Sequence, residues 1–203
     1  AANGAFPTMN AIVPAAWRSA LPRSEIRDEL RRQLDAFESA HGAPPDFVDG
    51  HQHAHVLPGV ADDLIAELDQ RGLAGKTWLR DSADRPRRII SRGKHWGKAL
   101  TVAALGRGFR AKARAAGFKL NDGFSGFSDF NPRDDYAADF ATYLRAPGVR
   151  PLVMCHPGHV DDELARLDPV TESREAELAF LLSDRFTGAL SAAGARLARL
   201  SHM

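Results

Sequence analysis

The chain has 203 residues, of which 44% are apolar and 26% charged, and its formal net charge is +1. This length suits one large domain, and the near-neutral charge gives no overall attraction for a polyanion, so no nucleic-acid partner is expected. One cysteine excludes an intrachain disulfide framework and suits a reducing compartment, and no run of about 18 apolar residues is present to span a membrane. We therefore expect a cytoplasmic protein whose residues 1–200 form a single domain, with 201–203 a cloning remnant.

The first half of the chain alternates helix and strand patterns. Apolar residues recur at helical spacing over 25–41 and again from Val60 to Leu68, which predicts two amphipathic helices. Between them, the pair Phe47 and Val48 follows two prolines and predicts a short buried strand, and 76–80 predicts the next strand.

The second half continues this alternation. It begins with a predicted helical segment over 93–116, interrupted by Gly106 and Gly108, and a glycine-rich loop with a short strand over 121–132. A helix capped by Asp134 or Asp135 follows and ends at Leu144. The remaining predicted elements are a strand over 152–155, helices over 172–182 and 186–193, and a last strand over 195–197. Alternating strands and helices favour an α/β fold with parallel strands.

Both histidine-rich segments directly follow predicted strands. His51 comes after Phe47 and Val48, and His156 comes after the strand over 152–155. Because reactive groups of parallel β/α folds lie at the carboxyl ends of the strands, we expect these two imidazoles to reach one pocket.

The segment "DFVDGHQHAHVLPGV" (46–60) places His51, His53 and His55 at alternate positions. In extended backbone such side chains share one face, so the three rings are expected to converge on a metal ion or an acid–base site. Asp49 is suited to orient a liganding ring by accepting its second N–H. The alternative is that these are solvated loop histidines.

A second polar cluster lies in "VMCHPGHVDDEL" (153–164), where His156 and His159 precede two aspartates. His156 follows a predicted strand, where a catalytic group is expected. The alternative interpretation of this segment is a loop without a catalytic role, followed by a helix that Asp161 caps. The neighbouring Cys155 is predicted to be a buried strand residue.

One region of the chain has a strong excess of positive charge: the stretch from Arg85 to Asn121 contains no Asp or Glu. Its eleven cationic residues are Arg85, Arg87, Arg88, Arg92, Lys94, Lys98, Arg107, Arg110, Lys112, Arg114 and Lys119. With large apolar residues between them, the segment over 85–119 fits a solvated helix face, an anionic membrane surface or a nucleic-acid contact. A non-catalytic module that binds anionic lipid or nucleic acid is therefore the alternative to an enzyme.

The motifs together resemble the YdjC-like carbohydrate deacetylases, also called the ChbG/HpnK family. The resemblance rests on "PPDFVDGHQHAHVLPGV", "DGFSGFSDF", "VMCHPGHVDDEL" and "DPVTESREAEL" and spans nearly the whole chain. The last three segments look most like the HpnK branch, which is associated with hopanoid biosynthesis.

This resemblance implies a (β/α) barrel related to the TIM barrel that removes acetate from N-acetylated amino sugars. It implies one divalent metal ion, Mg²⁺ or Zn²⁺, held by an Asp and two His, with His51 as one ligand. Asp49, His53 and His55 would bind substrate in the same pocket, and His156 would be the catalytic acid that protonates the departing amine. A lipid-linked sugar, contact with an anionic membrane surface and a homo-oligomer are further expectations.

The chain departs from the family in one respect. Family members begin with a strand that ends in an "ADDFG"-type motif and continue to a "GLHLN"-type strand, which supply the other metal ligands. Neither motif is present in this sequence. We therefore expect a barrel without its N-terminal strands, and a chain that is catalytically incomplete by itself.

Overall fold

A computed structural model describes residues 7–200. The helices among these residues are α1 Met9–Trp17, α2 Arg23–His41, α3 Val60–Gln70, α4 Pro86–Arg92, α5 Trp96–Leu105, α6 Phe109–Ala115, α7 Tyr136–Tyr143, α8 Asp162–Leu167, α9 Glu172–Leu181 and α10 Asp184–Ala192. The strands are β1 Phe47–Val48, β2 Trp78–Leu79, β3 Lys119–Leu120, β4 Phe124–Ser125 and β5 Leu152–Val153. The predicted cloning remnant at 201–203 lies outside the described residues.

The strands form two small open sheets in which every pair is parallel. The first sheet has the order β1-β2-β3, with Phe47 opposite Trp78 and Leu79 opposite Leu120. The second pairs β4 with β5. The α/β class is therefore confirmed, whereas the described strands do not close into a barrel.

The chain divides into two compact units, the first comprising residues 7–83, 101–121 and 200 and the second residues 84–100 and 122–199. Helix α2 packs on α3 in the first unit, where its apolar stripe contributes Leu34 to a core with Leu64, Leu68 and Phe109. Gly42 ends α2 in the left-handed conformation at φ +77°, which glycine adopts without a Cβ penalty. This unit presents the carboxyl ends of β1, β2 and β3.

The second unit has an aromatic core. Phe140 and Tyr143 of α7 pack with Phe180 of α9, and Phe186 of α10 adds an edge-to-face contact. At the strand pair, Gly126 has φ +97° and lies so close to Met154 that a Cβ would be 2.0 Å from the Met154 carbonyl oxygen. Only glycine fits there, and it brings the exit of β4 against the strand that leads to His156.

Most predicted elements are confirmed, and the differences have local causes. The predicted helical segment over 93–116 breaks between Leu105 and Phe109, as its two glycines indicated, and α1, α4 and β3 were not predicted. The strand predicted over 195–197 is wrong, because these residues are irregular. The prediction of a buried Cys155 is also wrong: the strand ends at Val153, and the Cys155 side chain is exposed.

Candidate functional site

The carboxyl ends of β1 and β2 meet in a polar group that we call the Asp49–Arg80 cluster, made of Asp49, Gly50, His53, Arg80 and Ser82. The Arg80 guanidinium forms an ion pair with the Asp49 carboxylate and donates to the Gly50 carbonyl at 3.1 Å. It also lies 2.8 Å from Nδ1 of His53. Because a guanidinium only donates, Nδ1 of His53 is the acceptor in this bond. Ser82 Oγ approaches the same nitrogen at 3.2 Å.

The buried His55 ring bonds to backbone groups of two members of this cluster. Its Nδ1 accepts from the Gly50 N–H at 3.1 Å, and its Nε2 donates to the Arg80 carbonyl oxygen at 2.7 Å. Burial, together with the positive charge of Arg80, lowers the pKa of His55 to about 4. The ring is therefore neutral near pH 7 and ties the end of β1 to the end of β2.

The predicted convergence of three rings from one extended face is wrong. Residues His51–Val56 form a 3-10 segment in which Gln52 and His53 have φ of +50° and +65°. These left-handed residues turn the chain back, so that His51 is exposed while His55 is buried. Left-handed conformations of non-glycine residues are strained and concentrate at functional sites. The ligand role of His51 and the substrate-binding roles of Asp49, His53 and His55 remain predictions.

The end of β3 adds a buried amide that the sequence patterns did not reveal. The Asn121 side chain accepts from the Asp81 backbone N–H at 2.7 Å and donates to the Asp81 carbonyl at 3.0 Å. The Asp81 carboxylate pairs with Arg110 at 2.5 Å, and burial raises its pKa. Asn121 therefore acts as a side-chain bridge between adjacent strand ends.

The described residues do not complete a divalent-metal site. Among residues 7–200, no group of three or more His, Cys, Asp or Glu side chains is arranged to hold a metal ion. The Asp49 carboxylate is paired with Arg80, and both ring nitrogens of His55 bond to backbone groups. Exposed at the end of β1, His51 is the member of the predicted set that fits a ligand role.

In the second unit, His156 lies three residues beyond β5. Its backbone N–H donates to Glu177 Oε2 at 2.6 Å, and its ring packs edge-on against Phe130 with the centroids 5.0 Å apart. Glu177 is only 2% exposed, and burial raises its pKa. The cap at Asp161 is confirmed, since its carboxylate accepts from the Leu164 N–H at 2.8 Å.

The stretch without acidic residues is not an unpaired basic surface. Six of its cationic residues form ion pairs with aspartates, in the pairs Arg88–Asp122, Arg92–Asp84, Lys94–Asp139, Lys98–Asp129, Arg110–Asp81 and Lys112–Asp62. All six aspartates lie outside 85–121: three precede this stretch, at 62, 81 and 84, and three follow it, at 122, 129 and 139. The basic and acidic stretches are therefore complementary in the folded chain.

Sequence reasoning missed Arg80, Asn121 and Glu177. Each is a polar residue in or beside an apolar pattern. Residues of this kind are often exposed to solvent, so the pattern alone does not mark them as part of a buried site. The available signal was position: Arg80 and Asn121 directly follow strands, where polar side chains of parallel β/α folds meet. Glu177 gave no comparable signal, since a charged residue in a helix is ordinarily solvated.

The sequence is similar to several known proteins. Residues 1–192 match the family described as YdjC-like protein. A carbohydrate deacetylase from Homo sapiens is 39% identical over 70 residues, which cover 29% of this chain and 22% of that protein. A chitooligosaccharide deacetylase from Yersinia pestis is 26% identical over 179 residues, which cover 87% of this chain and 60% of that protein.

The fold also resembles a crystal structure of a proposed cellobiose-phosphate cleavage protein from Enterococcus faecalis. The TM-score is 0.65 at 16% identity, covering 90% of this chain and 61% of that one. The chain thus spans at most about three fifths of the relatives named here. Within residues 7–200, no helix has the length and apolar character needed to cross a membrane. On the match over residues 1–192, the chain belongs to the YdjC-like family.

Proposed function

We propose that the protein is a metal-dependent carbohydrate deacetylase that hydrolyses the N-acetyl group of an amino sugar. The observation that carries the proposal is the family match over residues 1–192, together with relatives named carbohydrate deacetylase and chitooligosaccharide deacetylase. The positions of the predicted residues support it. Asp49 and His51 follow a parallel strand at its carboxyl end, where catalytic groups of β/α folds are found.

The proposed reaction assigns separate roles to the chain's own residues. Hydrolysis of the acetamide joins a water oxygen to the acetyl carbon and breaks the carbon–nitrogen bond, so the departing nitrogen needs a proton. Protonated His156 would supply it, a role typically worth about 10²–10⁴ in rate. Asp49 and His53 would bind sugar hydroxyl groups. His55, which the sequence also predicts to bind substrate, is assigned a supporting role instead, because both of its ring nitrogens bond to backbone groups of the turn.

We keep one divalent cation, Mg²⁺ or Zn²⁺, in the proposal, with His51 as one ligand. The residues described do not complete its coordination, so further ligands are needed beyond those among residues 7–200. We also propose that the strands belong to a (β/α) barrel related to the TIM barrel in a single domain.

The finer substrate proposal is a lipid-linked amino sugar, as in the hopanoid-associated HpnK branch. Its support is the resemblance of "DGFSGFSDF", "VMCHPGHVDDEL" and "DPVTESREAEL". A cytoplasmic location, membrane association through such a substrate and a homo-oligomer belong to the same proposal. The alternative, a non-catalytic module that uses the segment over 85–119, has no observation in its favour, because six of its cations pair with aspartates.

The proposal is tested by acetate release from an N-acetylated chitooligosaccharide, measured on the natural polypeptide that carries this sequence. Metal content is measured by mass spectrometry on the same samples. We expect His51→Ala to lose both bound metal and turnover, whereas His159→Ala, which alters an exposed loop histidine, retains both. Normal turnover in His51→Ala would refute the role of this residue and the metal-dependent proposal with it.

A further inference from the structure

We propose that Glu177 is a positioning residue for His156, and that helix α9 fixes the loop that carries this imidazole. The inference rests on the proposed function for its catalytic consequence, because His156 is there the proton donor. The structural part, that Glu177 sets the conformation of the loop, stands on contacts within the second unit.

Three backbone N–H groups of the loop, at alternate positions, are directed at α9. The His156 N–H donates to Glu177 Oε2 at 2.6 Å, and the Gly158 N–H donates to the Arg174 carbonyl at 3.3 Å. The Val160 N–H lies 3.5 Å from Glu175 Oε1. The loop that follows β5 is therefore bonded to α9 at three points, and the shortest of these contacts is at His156, the proposed proton donor.

The Glu177 contact is also the one that is removed from water. Glu177 is 2% exposed, whereas Glu175 of the same helix is exposed. Oε2 of Glu177 can accept the N–H in either protonation state, and when the carboxylate is ionised the bond is charge-assisted and roughly twice as strong as a neutral one. Burying a carboxylate is costly, so its presence on the inner face of α9 needs a role beyond filling space.

Other constraints act on the same residue. His156 precedes Pro157, whose ring restricts the preceding residue to extended backbone. The edge-on contact with Phe130 orients the imidazole ring. With the N–H bonded to Glu177, both the backbone and the ring of His156 are fixed before any substrate binds, which is how a proton donor is kept in a productive geometry.

The anchor helix is itself fixed at its first turn. Arg174 Nε donates to the Val170 carbonyl at 2.7 Å, and its Nη2 donates to Asp168 at 2.8 Å. These bonds tie the start of α9 to the preceding segment "DPVT". A shift of the acceptor oxygen would therefore come from the Glu177 side chain and not from movement of the helix.

The test compares three variants with wild type. Glu177→Gln keeps an acceptor oxygen at the same reach, Glu177→Leu removes the acceptor, and Glu175→Gln is the matched control at an exposed site on the same helix. Two quantities are measured: the amide proton shift of His156 in ¹H–¹⁵N NMR spectra, and kcat and KM for acetate release from an N-acetylated chitooligosaccharide. Glu177→Asp, whose carboxylate is one methylene shorter, replaces Glu177→Leu if that variant does not fold.

We expect the His156 amide resonance to move upfield in Glu177→Leu and to stay within a small shift of wild type in the control. In the same variant kcat should fall about 10–100-fold with KM within about twofold, because misplacement of about 1 Å costs rate rather than binding. Glu177→Gln should restore most of kcat, which loss of structure alone would not explain.

Two results would overturn the inference: an unmoved His156 amide in Glu177→Leu, or in Glu177→Asp where that variant replaces it, or an unchanged kcat once that amide has moved. If wild type releases no acetate, the proposed function fails separately, and the NMR comparison still decides whether Glu177 positions the loop.

Discussion

Arg80 and Asp49 form an ion pair that joins the carboxyl ends of two neighbouring parallel strands. Arg80 follows β2 and is buried, whereas Asp49 follows β1 and its side chain is 45% exposed. The same guanidinium also holds the Gly50 carbonyl and Nδ1 of His53. One side chain thus fixes the conformation of the turn that carries the predicted substrate-binding and metal-binding residues.

Replacing Arg80 should destabilise the first unit. Arg80→Met leaves the Gly50 carbonyl and the Asp49 carboxylate without this donor, and we expect a loss of about 1–3 kcal/mol in the free energy of unfolding. Urea denaturation measures it. Arg87→Met, which removes an exposed arginine from α4, is the control and should change stability by less than about 0.5 kcal/mol. Equal stability of the two variants would contradict a structural role for Arg80.

The buried His55 should make stability depend on pH. Its pKa in the folded state is lowered to about 4 from 6.5. His55 therefore takes up a proton more readily in the unfolded chain than in the folded one. The contribution of neutral His55 to the free energy of unfolding is complete above about pH 6.5 and is lost as pH falls toward 4, by up to about 3 kcal/mol. The measurement is the free energy of unfolding of wild type minus that of His55→Gln between pH 7 and 4.5. A difference that does not change with pH would show that His55 titrates normally in the folded state.

Gly126 should tolerate no side chain. A Cβ would lie 2.0 Å from the Met154 carbonyl oxygen, and its φ of +97° is unfavourable for other residues. We expect Gly126→Ala to destabilise the protein by more than about 2 kcal/mol, since a backbone contact cannot be relieved by a rotamer change. Gly188→Ala lies in α10 with nothing within 4 Å of the added Cβ and should instead be neutral or stabilising. Thermal unfolding compares the two, and similar midpoints would contradict the close approach of β4 and β5.

The basic segment should not bind anionic membranes strongly. Six of its eleven cations already pair with aspartates and the net charge of the chain is only +1, so the attraction of the segment to phosphatidylserine vesicles is weakened. Co-sedimentation at low and high salt measures this binding, and we expect little at either. Strong binding at low salt that is lost at high salt would favour the lipid-binding alternative.

The sequence predicted the elements with strong local signals. The helix over 25–41 and the capped helix ending at Leu144 are confirmed, because their periodicity or caps are local properties. The strand at Phe47 and Val48 also forms, but the prediction that it is buried is wrong, because Phe47 is 54% exposed. The geometry of the histidines was not predictable in this way. Histidines at alternate positions share one face only if the backbone stays extended. It does not, because Gln52 and His53 adopt left-handed conformations.

The supporting residues depend on tertiary contacts. Arg80 finds Asp49 31 positions away and Asn121 finds Asp81 40 positions away, so neither pairing is visible in a local window. The same applies to Glu177 and His156, whose bond joins a helix to a loop 21 positions earlier. The sequence could therefore locate the two strand ends but not the side chains that fix them.

The most direct measurement is product analysis on the natural polypeptide supplied with an N-acetylated chitooligosaccharide and a divalent cation. The account predicts acetate and free amine in equal amounts, and no turnover in His51→Ala. Cleavage of a glycosidic bond without acetate release, or no reaction with any N-acetylated sugar, would contradict a deacetylase.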